Sequence, residues 1–364
     1  MKEQIEQDDT RDRKNYVTAP RMRYEREQVW FPLSEDILGW DDDFHELMLR
    51  DYVRMVAYEK AIKEAVKPGM TIADIGTGTG ILALWALEAG ASKVYGIDVN
   101  KNRIPQALER IRGTGYEDRF EVFNALSYDV NLPERVDVVI SEILGNLGDN
   151  EDMCRILNDA RSRFLKKGGI MLPRRVRTSL VPVCSTIAHQ QVKDRNCRGI
   201  NSNYKLDDLL KKLGVTNQFD LYYDAILPFS TYLSEPQVVR DFRFDGNDGL
   251  GYSVDASYIV VKEGLFTGFK GSFVADLSDK TCLDISGDDI EGRTTADCWK
   301  HCYLPIENPI EVKAGDKIEL IYSRYYPKEG SSPFRQCYSW NGKVNRDGRK
   351  VSEFKQDIGG ENAC

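Results

Sequence analysis

Two glutamates nine residues apart carry the strongest indication of chemistry in this sequence of 364 residues. Glu142 ends the apolar run VDVVISE, and Glu151 follows across a loop whose two glycines allow it to fold back. Ligands of doubly wound α/β proteins bind beyond the carboxyl ends of the strands, where Glu142 is expected. Two carboxylates at one mouth repel each other, so one takes up a proton unless a cation lies between them. A guanidinium is a suitable cation.

A glycine-rich turn supplies a second candidate site. The segment DIGTGTG begins at Asp74 and places Gly76, Gly78 and Gly80 where a predicted strand becomes a predicted helix. Glycines let a ligand approach the backbone closely, and a helix N-terminus presents unpaired amides. Asp98 ends the next apolar run, where an acid can accept hydrogen bonds from both hydroxyls of a ribose. The turn alone also suits a structural connection, but with Asp98 it predicts an adenosine-bearing cofactor.

Alternating elements would position these residues. Apolar spacing predicts one amphipathic helix from Phe44 to Val66. Further along, strands and helices take turns, which is typical of a parallel sheet with right-handed crossovers. The predicted strands are 70–76, 93–99, 119–125, 136–142 and 168–173, separated by helical segments such as 81–89 and 102–112. After Pro173 the runs become rich in Val, Ile, Tyr, Phe and Thr, with Gly, Asp and Pro between them, which predicts an antiparallel β domain.

The sequence therefore predicts an α/β protein with two domains. A Rossmann-like domain is expected over residues 31–175 and an antiparallel β-barrel domain over residues 176–364. Residues 1–30 are mostly charged or polar and are expected to form a tail. The polar stretch at about 186–220 ends near a short helical patch, LDDLLKKLG, and reads as an excursion from the barrel.

Composition restricts the partners. The 50 Lys and Arg against 58 Asp and Glu give a net charge of -8, so direct nucleic-acid binding is not expected and cationic partners are favoured. No apolar run approaches the roughly 20 residues that cross a bilayer, so no membrane partner is expected. The eight cysteines lack paired spacing, and Cys298, His301 and Cys302 are too few for a structural zinc site. No metal is predicted, and free thiols favour the cytoplasm or nucleus.

Several motifs resemble one enzyme family. The D-x-G-x-G-x-G spacing resembles the first motif of S-adenosylmethionine-dependent methyltransferases. The loop SEILGNLGDNE resembles the double-E loop of the protein arginine N-methyltransferase family, in a form closer to the symmetric-dimethylating and monomethylating branches. The segment HELMLRDYVR is similar to the family's H-x-x-M-L-x-D-x-x-R helix, and Trp299 lies where the family has a T-H-W loop. The resemblance covers roughly residues 30–326.

The resemblance implies S-adenosyl-L-methionine as methyl donor, S-adenosyl-L-homocysteine as product and an arginine of an Arg-rich protein or peptide as acceptor. It also implies a Rossmann-like methyltransferase domain, a β-barrel, and a homodimer formed through a helical arm at about 186–220. Glu142 and Glu151 would be catalytic and grip the guanidinium. Cofactor binding would involve His45, Met48, Arg54, Asp74, Gly76, Gly78, Gly80 and Asp98, and substrate binding would involve Trp299 and Met48.

Three of these residues have plainer alternatives. Under the resemblance, Arg54 would pair with the methionyl carboxylate of the cofactor, and Met48 would lie beside the sulfonium and the acceptor nitrogen. From periodicity alone, Met48 suits a helix core, and Arg54 suits a surface ion pair. Trp299 likewise suits a buried strand position.

The sequence also departs from the family. Cys298 replaces the loop histidine, so Asp51 is expected to lack its usual partner, and His301 is not expected to replace it because the offset of three reverses its face on a strand. Residues 34–40 offer only Trp40 in place of paired tyrosines. Two alternatives follow: a cofactor-binding subunit that activates another methyltransferase, and a methyltransferase for a free guanidine or small amine.

Overall fold

The computed structural model describes residues 25–32, 34–35, 42–199, 205–287, 298–326 and 335–359. Residues 1–24 of the predicted tail lie outside these ranges. In chain order, the strands are β1 Val29–Trp30, β2 Thr71–Ile75, β3 Lys93–Asp98, β4 Phe120–Asn124, β5 Val136–Ser141, β6 Leu165–Leu172, β7 Arg175–Val183, β8 Tyr223–Ala225, β9 Gln237–Phe242, β10 Tyr252–Ile259, β11 Gly264–Asp276, β12 Cys282–Asp284, β13 His301–Val312, β14 Lys317–Tyr325, β15 Cys337–Arg346 and β16 Arg349–Asp357. The α-helices are α1 Asp42–Arg50, α2 Tyr52–Ala65, α3 Ile81–Glu88, α4 Ile104–Ile111, α5 Met153–Phe164, α6 Thr186–Lys193 and α7 Leu206–Leu213.

Five parallel strands form the first sheet, in the order β4-β3-β2-β5-β6. All five residues of β2 are buried, as expected for a central strand covered on both faces. Because β2, β3 and β5 are neighbours, the glycine turn, Asp98 and Glu142 emerge at the same edge of the sheet. The predicted parallel α/β layer is confirmed.

The amphipathic segment before the sheet forms two helices, so the prediction of one continuous helix from Phe44 to Val66 is wrong. Asp51 separates α1 from α2 with an extended backbone (φ −69°, ψ 103°), and its carboxylate accepts the Arg54 amide proton as the N-cap of α2. The apolar spacing continues across this break because both helices bury a face. Periodicity therefore does not reveal the interruption.

The second half of the chain is antiparallel, as predicted. One sheet has the order β1-β8-β13-β11-β7-β9, with β12 paired to β11, and the other has the order β10-β14-β15-β16. Strand β1, at the end of the predicted tail, pairs with β8, and Val29 is fully buried. Aromatic side chains fill the space between the sheets, with Phe266, Phe269 and Phe354 in mutual contact.

The stretch predicted as an excursion contains α6, α7 and a short 3-10 helix, Gln218–Asp220. The leucines of α7 are buried against the same hydrophobic core as the antiparallel sheets, with Leu209 only 2% exposed. The apolar face of α7 is thus covered by its own chain. In the described ranges, no helix combines the length and apolarity needed to span a membrane.

Candidate active site

A cavity lies where the carboxyl ends of the parallel strands meet the antiparallel sheets. Its wall includes residues from the glycine turn, from α2, from the loop after β5 and from the segment before β13. Eight residues of the predicted site line it: Met48, Arg54, Gly76, Gly78, Asp98, Glu142, Glu151 and Trp299. The fold thus brings both predicted carboxylates and the glycine turn to one site. The side chain of His45 lies outside the described part of the structure.

The glycine turn is shaped by residues on both of its sides. Gly76, Gly78 and Gly80 all have positive φ, which disfavours residues with a Cβ. Asp98 accepts hydrogen bonds from the amides of Gly78 at 2.8 Å and Asn100 at 2.7 Å. The carboxylate of Asp98 therefore ties the turn to the end of β3.

Asp74 and Gly80 support the turn without lining the cavity. The Asp74 carboxylate is fully buried and accepts a hydrogen bond from the Thr77 hydroxyl at 2.6 Å. Burial raises the pKa of Asp74 to about 7. A Cβ on Gly80 would lie 3.1 Å from the Cα of Ala107, so the turn packs closely on α4. Both residues act on the cavity through the backbone of the turn.

A buried ion pair joins α2 to the first glutamate. Arg54 donates from Nε to Glu142 Oε2 at 2.8 Å, donates to the same oxygen from Nη2, and donates from Nη1 to the Met48 carbonyl at 3.0 Å. The side chains of Arg54 and Glu142 are 9% and 7% exposed. Burial raises the pKa of Glu142, and the Arg54 charge opposes that rise. Glu142 is thus a carboxylate whose charge is held by a resident cation.

Glu151 occupies a different electrostatic environment. Its Oε1 accepts a hydrogen bond from the Ser34 hydroxyl at 3.3 Å. Burial, followed by the negative charge of Glu142, raises the pKa of Glu151 to about 8. The two acids therefore differ, with Glu142 paired to Arg54 and Glu151 mostly neutral at pH 7.

Cys298 stands where the family has its loop histidine, so Asp51 lacks that usual partner, but the same segment still supplies a hydrogen-bond donor to Asp51. The backbone amide of Cys298 donates to Asp51 Oδ2 at 2.9 Å, while Oδ1 caps α2. His301 hydrogen-bonds to the Leu227 amide and the Gly287 carbonyl instead. The contact from the main-chain amide of Cys298 does not depend on the type of its side chain, so the sequence motif cannot reveal it.

Trp299 supports the loop between the two glutamates. Its indole N–H donates to the Leu144 carbonyl, and its ring packs edge-on against Phe273 with centroids 5.3 Å apart. Trp299 is 7% exposed, so it is a core aromatic that also forms part of the cavity wall. It therefore combines a buried core position with a place at the site.

Sequence reasoning missed several lining residues. Asn146 donates to Asp224 Oδ1 at 2.7 Å, and Asn150 donates to Asn146 Oδ1 at 3.0 Å, so an amide pair links the loop to β8. Asp224 lies on a short strand without any local motif, and only the tertiary fold brings it here. The cavity wall continues through Ala125, Leu126, Ser127 and Tyr128 after β4, through Asn100 and Arg103 after β3, and through Ser34 and Lys300. The rule that ligands lie beyond strand ends would have indicated the residues after β4.

The parallel sheet and the fold as a whole are similar to those of known methyltransferases. A family model for ribosomal protein L11 methyltransferase (PrmA) matches residues 57–173, the part that contains the parallel sheet. A crystal structure of Arabidopsis thaliana protein arginine methyltransferase 10 superposes with a TM-score of 0.72 at 24% identity, covering 86% of this chain and 97% of that one. A Trypanosoma brucei PRMT1 enzyme-prozyme heterotetrameric complex with AdoHcy gives a TM-score of 0.70 at 20% identity, covering 89% of this chain and 98% of that one. These two likenesses show the fold.

Sequence relatives narrow the class. Protein arginine N-methyltransferase PRMT10 of Arabidopsis thaliana is 31% identical over 304 residues, which cover 75% of this chain and 77% of that protein. Ribosomal protein arginine N-methyltransferase rmt3 of Schizosaccharomyces pombe is 27% identical over 309 residues, which cover 82% of this chain and 56% of that protein. This chain belongs to the protein arginine N-methyltransferase family.

Proposed function

We propose that this protein transfers a methyl group from S-adenosylmethionine to a guanidino nitrogen of arginine in a protein substrate. The observation that carries the proposal is the placement of Glu142 and Glu151 on one cavity with the glycine turn and Asp98. The wall of the cavity combines a backbone turn and an acid suited to an adenosine with two acids suited to a guanidinium.

The residues present fit this cofactor. Gly76 and Gly78 have no side chains that would obstruct the cavity. Asp98 lies at the end of β3, where its carboxylate can accept hydrogen bonds from ribose hydroxyls. Arg54, which already pairs with Glu142, is the cation expected to hold the carboxylate of the cofactor. When bound, S-adenosylmethionine supplies an electrophilic methyl group on a sulfonium.

The two glutamates would divide the work. Glu142, fixed by Arg54, provides a carboxylate that orients the substrate guanidinium. Glu151 is mostly protonated in the free protein at pH 7, and a bound guanidinium would favour its ionised form. The ionised Glu151 can hold one guanidino nitrogen, draw positive charge away from the reacting nitrogen and accept the proton released on transfer.

We extend the proposal to partners and location. An acidic chain with net charge -8 is suited to Arg-rich substrates. A homodimer is proposed as well, through surfaces other than the leucine face of α7, which is covered within the chain. Light scattering after size-exclusion chromatography tests the dimer, and imaging of a tagged full-length chain tests residence in the cytoplasm or nucleus.

The direct test is labelling of a Gly- and Arg-rich peptide with radiolabelled S-adenosylmethionine, followed by acid hydrolysis. Labelled methylarginine is expected, and the double-E loop favours monomethylated or symmetrically dimethylated product. Labelling of free arginine or agmatine but not of peptide would replace the proposal with a small-molecule methyltransferase. If the peptide is labelled only after a second methyltransferase chain is added, the protein would instead be an activating subunit.

We expect Gly80→Ala to weaken S-adenosylmethionine binding at least tenfold, because the added Cβ displaces the turn from α4. The matched control is Gly113→Ala. Gly113 has a similar positive φ of 77°, but a Cβ added there meets no described atom within 4 Å, so it shares the backbone strain of about 1–2 kcal/mol without the packing clash. Isothermal titration calorimetry measures both. Equal dissociation constants for the two variants would contradict the assigned role of the turn.

We expect kcat/KM for peptide to rise with pH and to level off above about pH 8, because the active form requires ionised Glu151, whose pKa is raised to about 8. One unit below that pKa, about a tenth of the carboxyl is ionised, so kcat/KM at pH 7 should be roughly tenfold below the plateau. The profile is measured with saturating cofactor between about pH 6 and 9.5. A profile that is flat from pH 6 upward would mean that Glu151 is already ionised in the free enzyme.

A further inference from the structure

Two aspartates, one on each side of Glu151, are hydrogen-bonded to residues of the β10-β14-β15-β16 sheet or just beyond it. This sheet is called the C-terminal sheet below. Asp149 precedes Glu151 by two residues, and Asp152 follows it directly. Both aspartates are fully buried. Neither lines the cavity, so the proposed chemistry does not use them directly.

Asp149 is the centre of a buried cluster from three strands. Its Oδ2 accepts from Arg324 Nη1 of β14 at 2.9 Å and from the Tyr252 hydroxyl of β10 at 2.9 Å. Its Oδ1 accepts from the Tyr338 hydroxyl of β15 at 3.2 Å. The side chains of Asp149 and Arg324 have no exposed surface. Such a pair adds little net stability, because desolvation offsets much of the attraction, but separating its members is strongly unfavourable, because it leaves a buried charge without a partner.

Asp152 makes the matching contacts on the other side. The Tyr326 hydroxyl, just beyond β14, donates to Asp152 Oδ1 at 2.5 Å, and Arg155 Nε donates to Oδ2 at 2.8 Å. The backbone of Asp152 has a φ of 62°, a left-handed conformation that a non-glycine residue adopts only when its surroundings enforce it. Arg155 also lies over the Tyr326 ring, 5.0 Å from its centroid.

We propose that Asp149 and Asp152 are positioning residues, through which β10, β14, β15 and Tyr326 fix the backbone on both sides of Glu151 and so place its carboxylate opposite Glu142. The proposal rests on the proposed function of Glu151. It assigns the C-terminal sheet a part in catalysis, although none of the described residues of that sheet lines the cavity. Two anchors are needed because a single one would leave Glu151 free to pivot about it.

Displacement of Glu151 would change its ionisation as well as the rate. The charged groups that act on it are Glu142 after β5, Arg54 on α2 and Asp224 on β8, with Lys300 before β13 on the same cavity wall. If the anchors loosen, Glu151 can move away from Glu142 and towards water. Both changes lower the pKa of Glu151 towards its ordinary value.

The test is the double variant Tyr252→Phe and Tyr326→Phe, which removes one hydroxyl donor from each aspartate and keeps both rings. The matched control is Tyr258→Phe on β10, a buried tyrosine whose hydroxyl has no hydrogen-bond partner among the described residues. We expect the double variant to lower kcat about 30-fold while the dissociation constant for S-adenosylmethionine stays within about twofold of wild type. The control should match wild type in both. Tyr326→Phe alone should give a smaller loss of kcat in the same direction.

A second measurement does not require turnover. Carbon-13 NMR of protein labelled at the glutamate carboxyl follows the titration of Glu151, assigned by the signal that Glu151→Gln removes. We expect the pKa of Glu151 to fall by at least about half a unit in the double variant and to stay unchanged in the control. A lower melting temperature with wild-type kcat and wild-type titration would overturn the inference, since the anchors would then be merely structural. A wild-type protein that fails to methylate any arginine would instead overturn the proposed function, while the titration still decides the positioning.

Discussion

Glu151→Gln is expected to lower kcat for a Gly- and Arg-rich peptide about a thousandfold. The amide keeps the size of the side chain but can neither balance the guanidinium charge nor take up a proton, and groups that stabilise transition-state charge contribute factors of roughly 10² to 10³. Binding of the cofactor is expected to depend on Arg54, which pairs with Glu142 and not with Glu151. Cofactor affinity should therefore change little. Single-turnover labelling and cofactor titration measure the two effects separately.

The melting temperature of Glu151→Gln shows whether a loss of activity comes from lost catalysis or from lost folding. The pKa of Glu151 is raised to about 8 in the folded protein, so ionisation of Glu151 costs stability as the pH rises above its ordinary unfolded value. A neutral glutamine removes that cost, and the melting temperature at pH 9 should equal or exceed that of wild type. Glu109→Gln, at an exposed ion pair with Arg112, is the matched control and should keep full activity. Retention of more than a tenth of wild-type kcat by Glu151→Gln would contradict the assigned role.

Arg54→Met is expected to destabilise the protein by about 3–5 kcal/mol at pH 8, because it leaves Glu142 buried without its cation. It should also weaken S-adenosylmethionine binding and abolish measurable peptide labelling, since Arg54 is the cation proposed for the cofactor carboxylate. Burial already raises the pKa of Glu142, and loss of Arg54 raises it further. The destabilisation therefore grows as the pH rises and should be smaller at pH 5, where a larger share of Glu142 is protonated in the variant than at pH 8. Urea unfolding at both pH values measures this difference.

A double variant separates the charge effect from the loss of packing. Glu142→Gln combined with Arg54→Met removes both members of the buried pair, and it should recover part of the stability that Arg54→Met alone loses. Arg112→Met removes an arginine whose side chain is 73% exposed and should change stability by less than about 0.5 kcal/mol. Equal destabilisation of Arg54→Met at pH 5 and pH 8 would show that the ionised Glu142 is not its cause.

Local signals in the sequence were sufficient for the parallel layer and the cofactor end of the cavity. Five apolar runs separated by helical segments fit only a parallel sheet covered on both faces, and its central strand β2 is fully buried. The glycine turn, Asp98 and Glu142 each end a strand of that sheet, so one topological rule places them together. These features depend on neighbours in sequence, and for that reason they can be predicted residue by residue.

The break at Asp51 and the anchoring of its carboxylate were not predictable in this way. The N-cap hydrogen bond to Arg54 is local, but the apolar spacing continues across it and conceals the boundary. The second partner, the Cys298 amide, is 247 residues away and belongs to the backbone, so no side-chain motif records it. Comparison with the family pattern shows only that a histidine is absent at position 298. In the folded chain the backbone amide of Cys298 donates to Asp51.

The amino-acid sequence by itself determined which chemical groups are available: two glutamates, a glycine turn with its acid, and an arginine that follows an aspartate in the same motif. Only the tertiary structure decided how they differ, because charge state and position depend on burial and on residues distant in the chain. Arg54 takes Glu142 as its partner and leaves Glu151 with a pKa of about 8. The loop between the two glutamates is hydrogen-bonded to antiparallel strands that are distant in the chain; Tyr338, which donates to Asp149, lies 189 residues after it. Periodicity reports which face of an element is apolar, but desolvation and charge pairing arise only when separate elements pack together.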